Sequence, residues 1–150
     1  MWQPEKLFTR GLKDIAGDLY IKYINELEYP EDVKYYKRSG RVYYLRISNE
    51  SHTLYKIGFT MKTVRERIES LNISYKYKVD VIASLNFNKA AQALIIEGLL
   101  HREFKEFRYK GLNLFDFNNG NTEVYVKDVL NIGNKFKEER WSFEDLLKRV

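Results

Sequence analysis

At Ser39-Gly40 the pattern of this chain switches from helical to extended, and the switch restricts the folds open to it. Arg41 to Ile47 (RVYYLRI) and Thr53 to Phe59 (TLYKIGF) are rich in β-branched and aromatic residues. Only the polar stretch Ser48-Asn49-Glu50-Ser51-His52 separates them, so the two runs read as a β-hairpin. Met61 to Asn72 (MKTVRERIESLN) follows with Val64, Ile68 and Leu71 at helical spacing, and Thr60 is its expected N-cap. Val79 to Phe87 (VDVIASLNF) reads as a third strand. Asn88 is expected to cap a long helix running to about Phe107.

The flanks are helical in pattern. Leu7, Leu12, Ile15, Leu19, Ile21, Tyr23, Ile24 and Leu27 recur at mixed, mostly helical spacings, and Tyr29-Pro30-Glu31-Asp32 reads as a stop and a new start. This extension is either a helical cover for the core or an arm that contacts DNA or dimerises. After a loop rich in Asn and Gly (Gly111 to Asn121), Glu123-Val124-Tyr125-Val126 reads as a short strand. Lys127 to Phe136 and Ser142 to Arg149 read as two closing helices, the second with Ser142 as N-cap and Asp145 as a first-turn acid. The order is ααββαβαβαα, an α+β fold or α/β layer. At 150 residues the chain is expected to form one domain, 1–150, with a helical extension at 1–39, a core at 40–126 and C-terminal helices at 127–150.

Composition removes several classes of function. Cysteine is absent, which excludes a disulfide scaffold, a thiol nucleophile and Cys-based metal sites. The sequence has no apolar run of about 18 residues that would span a membrane. Met1-Trp2-Gln3-Pro4-Glu5-Lys6 lacks the apolar core of a signal peptide, so a cytoplasmic location is expected. The formal charge of +5 is not spread evenly: residues 41–111 carry 13 basic and 7 acidic side chains, while both flanks are close to neutral. A basic, tyrosine-rich middle suits a phosphate backbone as partner.

One carboxylate stands out. On the helix that starts at Asn88, Ala90, Ala93, Leu94, Leu100 and Phe104 all fall within about 60 degrees of Glu97, and His101 follows at i+4. Glu97 therefore projects from an apolar stripe, where a lone carboxylate costs several kcal/mol and calls for a cation, a hydrogen-bond network or a metal ion. A structural pair with a buried arginine or with His101 is the plain alternative.

In order along the chain, Val42-Tyr43-Tyr44-Leu45, Tyr55-Lys56-Ile57-Gly58-Phe59-Thr60, Arg67-Ile68-Glu69-Ser70-Leu71-Asn72 and Ile96-Glu97-Gly98-Leu99-Leu100-His101 resemble the motifs of the GIY-YIG nuclease superfamily. The similarity is to its phage-type branch, in which the second motif reads KIG. It covers roughly residues 40–126 and ends weakly at Thr122-Glu123-Val124-Tyr125. The resemblance implies a three-stranded antiparallel sheet flanked by helices, with the site on one face. It also implies hydrolysis of DNA phosphodiesters by in-line attack of water at a single divalent metal, Mg2+ or Mn2+. Glu97 would hold the metal, Arg67 would clamp the non-bridging phosphate oxygens, and Tyr43 would position or deprotonate the water, a role that requires nearby cations. Lys56 would point at the same site from the paired strand.

Several positions have alternatives. Lys56 replaces the second tyrosine of many relatives and is either a phosphate-positioning group or a solvated strand lysine. Tyr55 supplies the phenol instead if the hairpin register differs by one. Arg65 competes with Arg67. Leu71 stands where many relatives carry His or Tyr, so that acid–base role is either vacant or filled by His101 or Tyr55. His101 is a proton carrier or a structural hydrogen-bonder, and Glu123 a structural or outer residue. Tyr75-Lys76-Tyr77-Lys78 interleaves aromatic and basic groups, which marks Tyr75, Lys76 and Lys78 as nucleic-acid contacts or as an amphipathic strand end. The expected partner is double-stranded DNA, with a homodimer needed if one site is to break both strands at once. The rival readings are a non-catalytic nucleic-acid-binding module on the same scaffold and a phage protein-interaction or inhibitor domain.

Overall fold

The hairpin forms. β1 (Gly40–Ser48) and β2 (Thr53–Thr60) pair antiparallel from Arg41 opposite Thr60 to Ser48 opposite Thr53. The structure, a computed structural model, describes residues 11–109, 124–133 and 135–148. Ahead of the hairpin lie α1 (Leu12–Lys22), a 3-10 turn and the short α2 (Lys34–Lys37). After it come α3 (Val64–Leu71), β3 (Lys78–Phe87) and α4 (Ala90–Glu103). β4 (Val124–Tyr125), β5 (Lys137–Arg140) and α5 (Phe143–Leu147) complete the described elements.

The expected three-stranded antiparallel sheet is corrected by this arrangement. The sheet has five strands in the order β4-β2-β1-β3-β5, and it is mixed, because β5 runs parallel to β3. β4 adds only two residues, paired with Tyr55 and Lys56. β5 reads KEER, with no apolar alternation to mark it as a strand. It joins through its backbone, and its charged side chains protect an exposed sheet edge from pairing with other chains. The architecture remains α+β.

Helices cover both faces. Val42, Tyr44, Ile57, Leu85 and Phe87 face α1 and α4 in the larger core, together with Leu12, Ala93, Ile96 and Leu100. Tyr43, Leu45, Ile47, Leu54 and Val124 face α3 in a smaller core with Ile68, Leu71, Ile73 and Tyr77. Successive strand residues point to opposite faces, so the neighbours Tyr43 and Tyr44 lie in different cores. A bulge between Tyr44 and Leu45 leaves Ile82 as the extra residue on β3.

Smaller expectations also shift. α3 is capped by Thr63 rather than Thr60: Thr63 Oγ1 accepts from Glu66 N at 3.1 Å, and Glu66 Oε1 accepts from Thr63 N at 3.4 Å. α4 starts after Lys89, one residue past the expected Asn88, and ends at Glu103, followed by a 3-10 turn over Lys105–Phe107. The expected helix over 127–136 is not present among its described residues. Asp128 Oδ1 accepts from Asn131 N at 3.0 Å and from Tyr44 OH at 2.6 Å, which ties the segment down as a turn. Asn131 (φ 48) and Gly133 (φ 94) are left-handed, which no continuing helix tolerates. The closing helix is shorter than expected but starts as expected, with Ser142 Oγ accepting from Asp145 N at 3.4 Å. The expected helix start before Leu12 and the whole of Glu123 lie outside the described residues.

Candidate active site

Register builds the site. Tyr43 lies directly opposite Gly58 across the hairpin, and both face α3. The Tyr43 ring rests on the Gly58 backbone so closely that a Cβ at Gly58 would fall 2.2 Å from the phenol oxygen and 2.2 Å from Cζ. Only glycine fits there. The glycine of the KIG segment is thus the seat of a tyrosine ring, which is fully buried. From α3, Arg67 Nε donates to the Tyr43 hydroxyl at 3.3 Å, and Arg67 NH1 donates to Ser70 Oγ at 3.4 Å. A permanent positive charge is thereby fixed beside a positioned phenol oxygen.

Lys56, two residues before Gly58, lies opposite Leu45 and Val124 on the same face as Tyr43. It is fully buried, so the solvated-lysine alternative does not hold. Tyr55 points to the other face and stacks on Tyr44 with ring centroids 5.7 Å apart. Burial, and then the Asp128 carboxylate, raise its phenol pKa, while Arg46 works against them. The register that would bring Tyr55 to the Tyr43 face is not adopted. Leu71, at the position where the motif resemblance leads one to expect His or Tyr, is buried in the small core and offers no acid or base.

Glu97 and His101 come from α4, on the opposite face of the sheet. α4 begins against Gly40, where a Cβ would fall 2.9 Å from the Ala90 Cα, and its His101 reaches the Ile57 backbone. Glu97, one turn before His101, therefore lies along the stretch of β2 that follows Ile57. Its Oε2 is buried. β4 covers only Tyr55 and Lys56, so from Ile57 to Thr60 the outer edge of β2 pairs with no described strand. Glu97 and the Tyr43–Arg67 pair thus belong to opposite faces of the sheet.

His101 is buried, and its Nδ1 lies 2.5 Å from the Tyr125 hydroxyl, with the two rings stacked at 5.8 Å. Burial is the main reason its pKa falls to about 4; the cations Arg108 and Lys56 lower it further, and the Ile57 carbonyl opposes them. The ring is neutral at physiological pH. Tyr125 was visible in sequence only as the last letter of the weakest motif, and nothing along the chain links it to a histidine 24 residues earlier.

The other candidates stand apart from Tyr43. Arg65 is on the outer side of α3 with its side chain 91% exposed, and its Nε sits 3.7 Å from Glu69 Oε1. Tyr75, Lys76 and Lys78 line a groove of about 610 Å³ with Asn49 and Glu50 from the β1–β2 turn. Tyr75 is 64% exposed, and the Lys76 ammonium sits 5.5 Å from its ring centroid. Ser48 ends β1 five residues after Tyr43, so this groove is roughly 17 Å from the Tyr43 site along the strand.

Residues 40–136, well over half of the chain, match the model of the T5orf172 domain. The chain belongs to that family. The T5orf172 domain is a nuclease-related phage family, which supports interaction with nucleic acid at a coarse level. The match takes in the hairpin, α3, α4 and the turn around Asp128, so every residue of the site described above belongs to the T5orf172 domain. Neither a curated protein nor a solved structure matches the chain. Among the described residues no helix is long and apolar enough to cross a membrane.

Metal binding by the T5orf172 domain would depend on few ligands. Among the described residues no group of three or more His, Asp or Glu side chains converges. A hard cation here would be held by one carboxylate, with water and phosphate oxygens completing its shell, and Glu97 would be that carboxylate.

Proposed function

We propose that this chain is a metal-dependent DNA endonuclease of the GIY-YIG type, hydrolysing a phosphodiester by in-line attack of water. The observation that carries the reading is the Tyr43–Arg67 pair: a phenol seated on Gly58, with a guanidinium donating to its oxygen. A phosphate at this position would meet the remaining donors of Arg67, whose planar fork matches two non-bridging oxygens. The Tyr43 oxygen accepts from Arg67, and a phenol held in this way would position a water or a leaving oxygen. Lys56 adds positive charge from the adjacent position on the same face. The buried setting strengthens each of these interactions with a developing negative charge.

Glu97 would hold one Mg2+ or Mn2+ ion at the open edge of β2. Such an ion, when bound, lowers the pKa of water and neutralises charge on the phosphoryl group. His101, neutral and hydrogen-bonded to Tyr125, would support the Glu97 face of the site rather than carry the proton.

The test is cleavage of supercoiled plasmid with Mg2+, with Mn2+ and with a chelator. Wild type is expected to nick only with metal. Glu97→Gln is expected to lose nicking while still retarding DNA. If Glu97→Gln nicks as fast as wild type, its metal role is wrong. The second reading, a nucleic-acid-binding module without chemistry, draws on the apolar Leu71 and predicts salt-sensitive DNA binding with no nicking under any metal.

A further inference from the structure

A row of neighbouring positions crosses the sheet on the α3 face. Gly58 is opposite Tyr43, Tyr43 is opposite Ser84, and Ser84 is opposite Glu138 on β5. The first two hold the phenol. The last two floor a pocket of about 530 Å³, within the usual size range of small-ligand sites. Arg41, Val64, Val81 and Phe136 form its walls. Val64 is one helical turn before Arg67, so the pocket opens directly beside the Tyr43–Arg67 pair. From Tyr43 to Glu138 is two strand spacings, roughly 10 Å.

The lining is that of a site for a flat, amphipathic ring. Val64 and Val81 are half-buried apolar walls, and Phe136 is 52% exposed, which leaves much of its ring accessible. The polar side is already ordered: Ser84 Oγ donates to Asn86 Oδ1 at 3.2 Å, and Asn86 Nδ2 donates to Glu138 Oε1 at 2.8 Å. Arg41 is fixed at the rim, its NH1 donating to the Lys62 carbonyl at 2.9 Å.

We propose that this pocket receives an unstacked nucleobase of the DNA, adjoining the phosphate held by Tyr43 and Arg67. The proposal rests on the phosphodiester reading of that pair. The base stacks on Phe136, its edge meets Ser84 and Glu138, which Asn86 holds from behind, and Arg41 faces the backbone that enters. A base inside a regular duplex must leave the stack to enter, at a cost of a few kcal/mol that is least for a base already extrahelical. The site therefore favours DNA carrying an unpaired or bulged base.

The experiment compares equilibrium binding, in Ca2+ to suppress cutting, to three otherwise identical duplexes: fully paired, with one bulged base, and with the same bulge made abasic. Wild type is expected to bind the bulged base about tenfold more tightly than either control, the scale of one stacked base. Phe136→Ala is expected to lose that preference while keeping its affinity for paired duplex, and Phe136→Trp to retain it. Equal binding of the bulged base and the abasic bulge overturns the pocket, because a bend alone then explains any preference. So does a preference unchanged in Phe136→Ala. A wild-type protein that binds none of the three duplexes overturns the phosphodiester reading, and the pocket with it.

Discussion

The Tyr43 ring lies on Gly58 with no room for a methyl group between them, since a Cβ at Gly58 would fall 2.2 Å from the phenol oxygen. Gly58→Ala must therefore displace the ring or separate the strands. Overpacking of this kind costs about 1–3 kcal/mol. Urea unfolding is expected to show that loss of stability, with DNA nicking lost as the phenol leaves Arg67. The decisive comparison is the double variant. In a Tyr43→Ala background the methyl group enters vacated space, so the added cost of Gly58→Ala should nearly vanish. Additive costs would mean that the glycine is required for some other reason.

Adjacent tyrosines should behave in opposite ways. Tyr43 OH accepts from Arg67, whereas Tyr44 OH donates to Asp128 at 2.6 Å on the other face. Burial and the Asp128 carboxylate raise the Tyr44 pKa beyond the normal range, so this phenol stays protonated and acts as a fixed donor. Tyr44→Phe should lower stability by about 1–3 kcal/mol, the cost of leaving a carboxylate short of a donor, with turnover per folded molecule nearly unchanged. Tyr43→Phe should reduce nicking by about 100-fold or more with little change in stability. Parallel denaturation and nicking assays on the two variants check both halves.

Strong periodicity made much of this legible in the sequence. The hairpin, α3, β3 and α4 all carry apolar residues at strand or helix spacing, and only the motif resemblance laid over that order made Tyr43, Arg67 and Glu97 candidates for one site. What failed had no such signal. KEER is a strand because β3 offers it a backbone edge, not because of its side chains. The 127–136 segment has apolar residues at tempting intervals, but the Asp128 side chain competes for the backbone and for Tyr44. The partnership of His101 with Tyr125, and the cross-strand row that ends at Glu138, join residues distant in the chain and become visible only once the strands are in register.

The groove beside Tyr75 should govern affinity rather than chemistry. Lys76→Ala and Lys78→Ala are each expected to weaken DNA binding and to reduce the slope of log K against log salt by about 1, the signature of one lost phosphate contact. Tyr75→Ala should weaken binding with no change of slope, because stacking releases no counterions. Saturating DNA should restore nicking in all three. A salt titration of binding by anisotropy distinguishes these outcomes, and an unchanged slope in both lysine variants would remove the groove from the DNA path.

His101 makes stability depend on pH with a definite sign. Its folded-state pKa, about 4, lies below the value near 6.5 of an exposed histidine. Between those values the unfolded chain binds a proton that the folded chain refuses, so unfolding is favoured as pH falls. The contribution is intact above pH 6.5, declines through the window and is gone below about 4, with a ceiling of about 3 kcal/mol. His101→Gln removes the titrating group while keeping a polar side chain next to Tyr125. Urea midpoints measured from pH 7.5 to 4.5 should fall more steeply in wild type than in His101→Gln. Curves of equal slope would mean that the buried ring takes up its proton without opposing the fold.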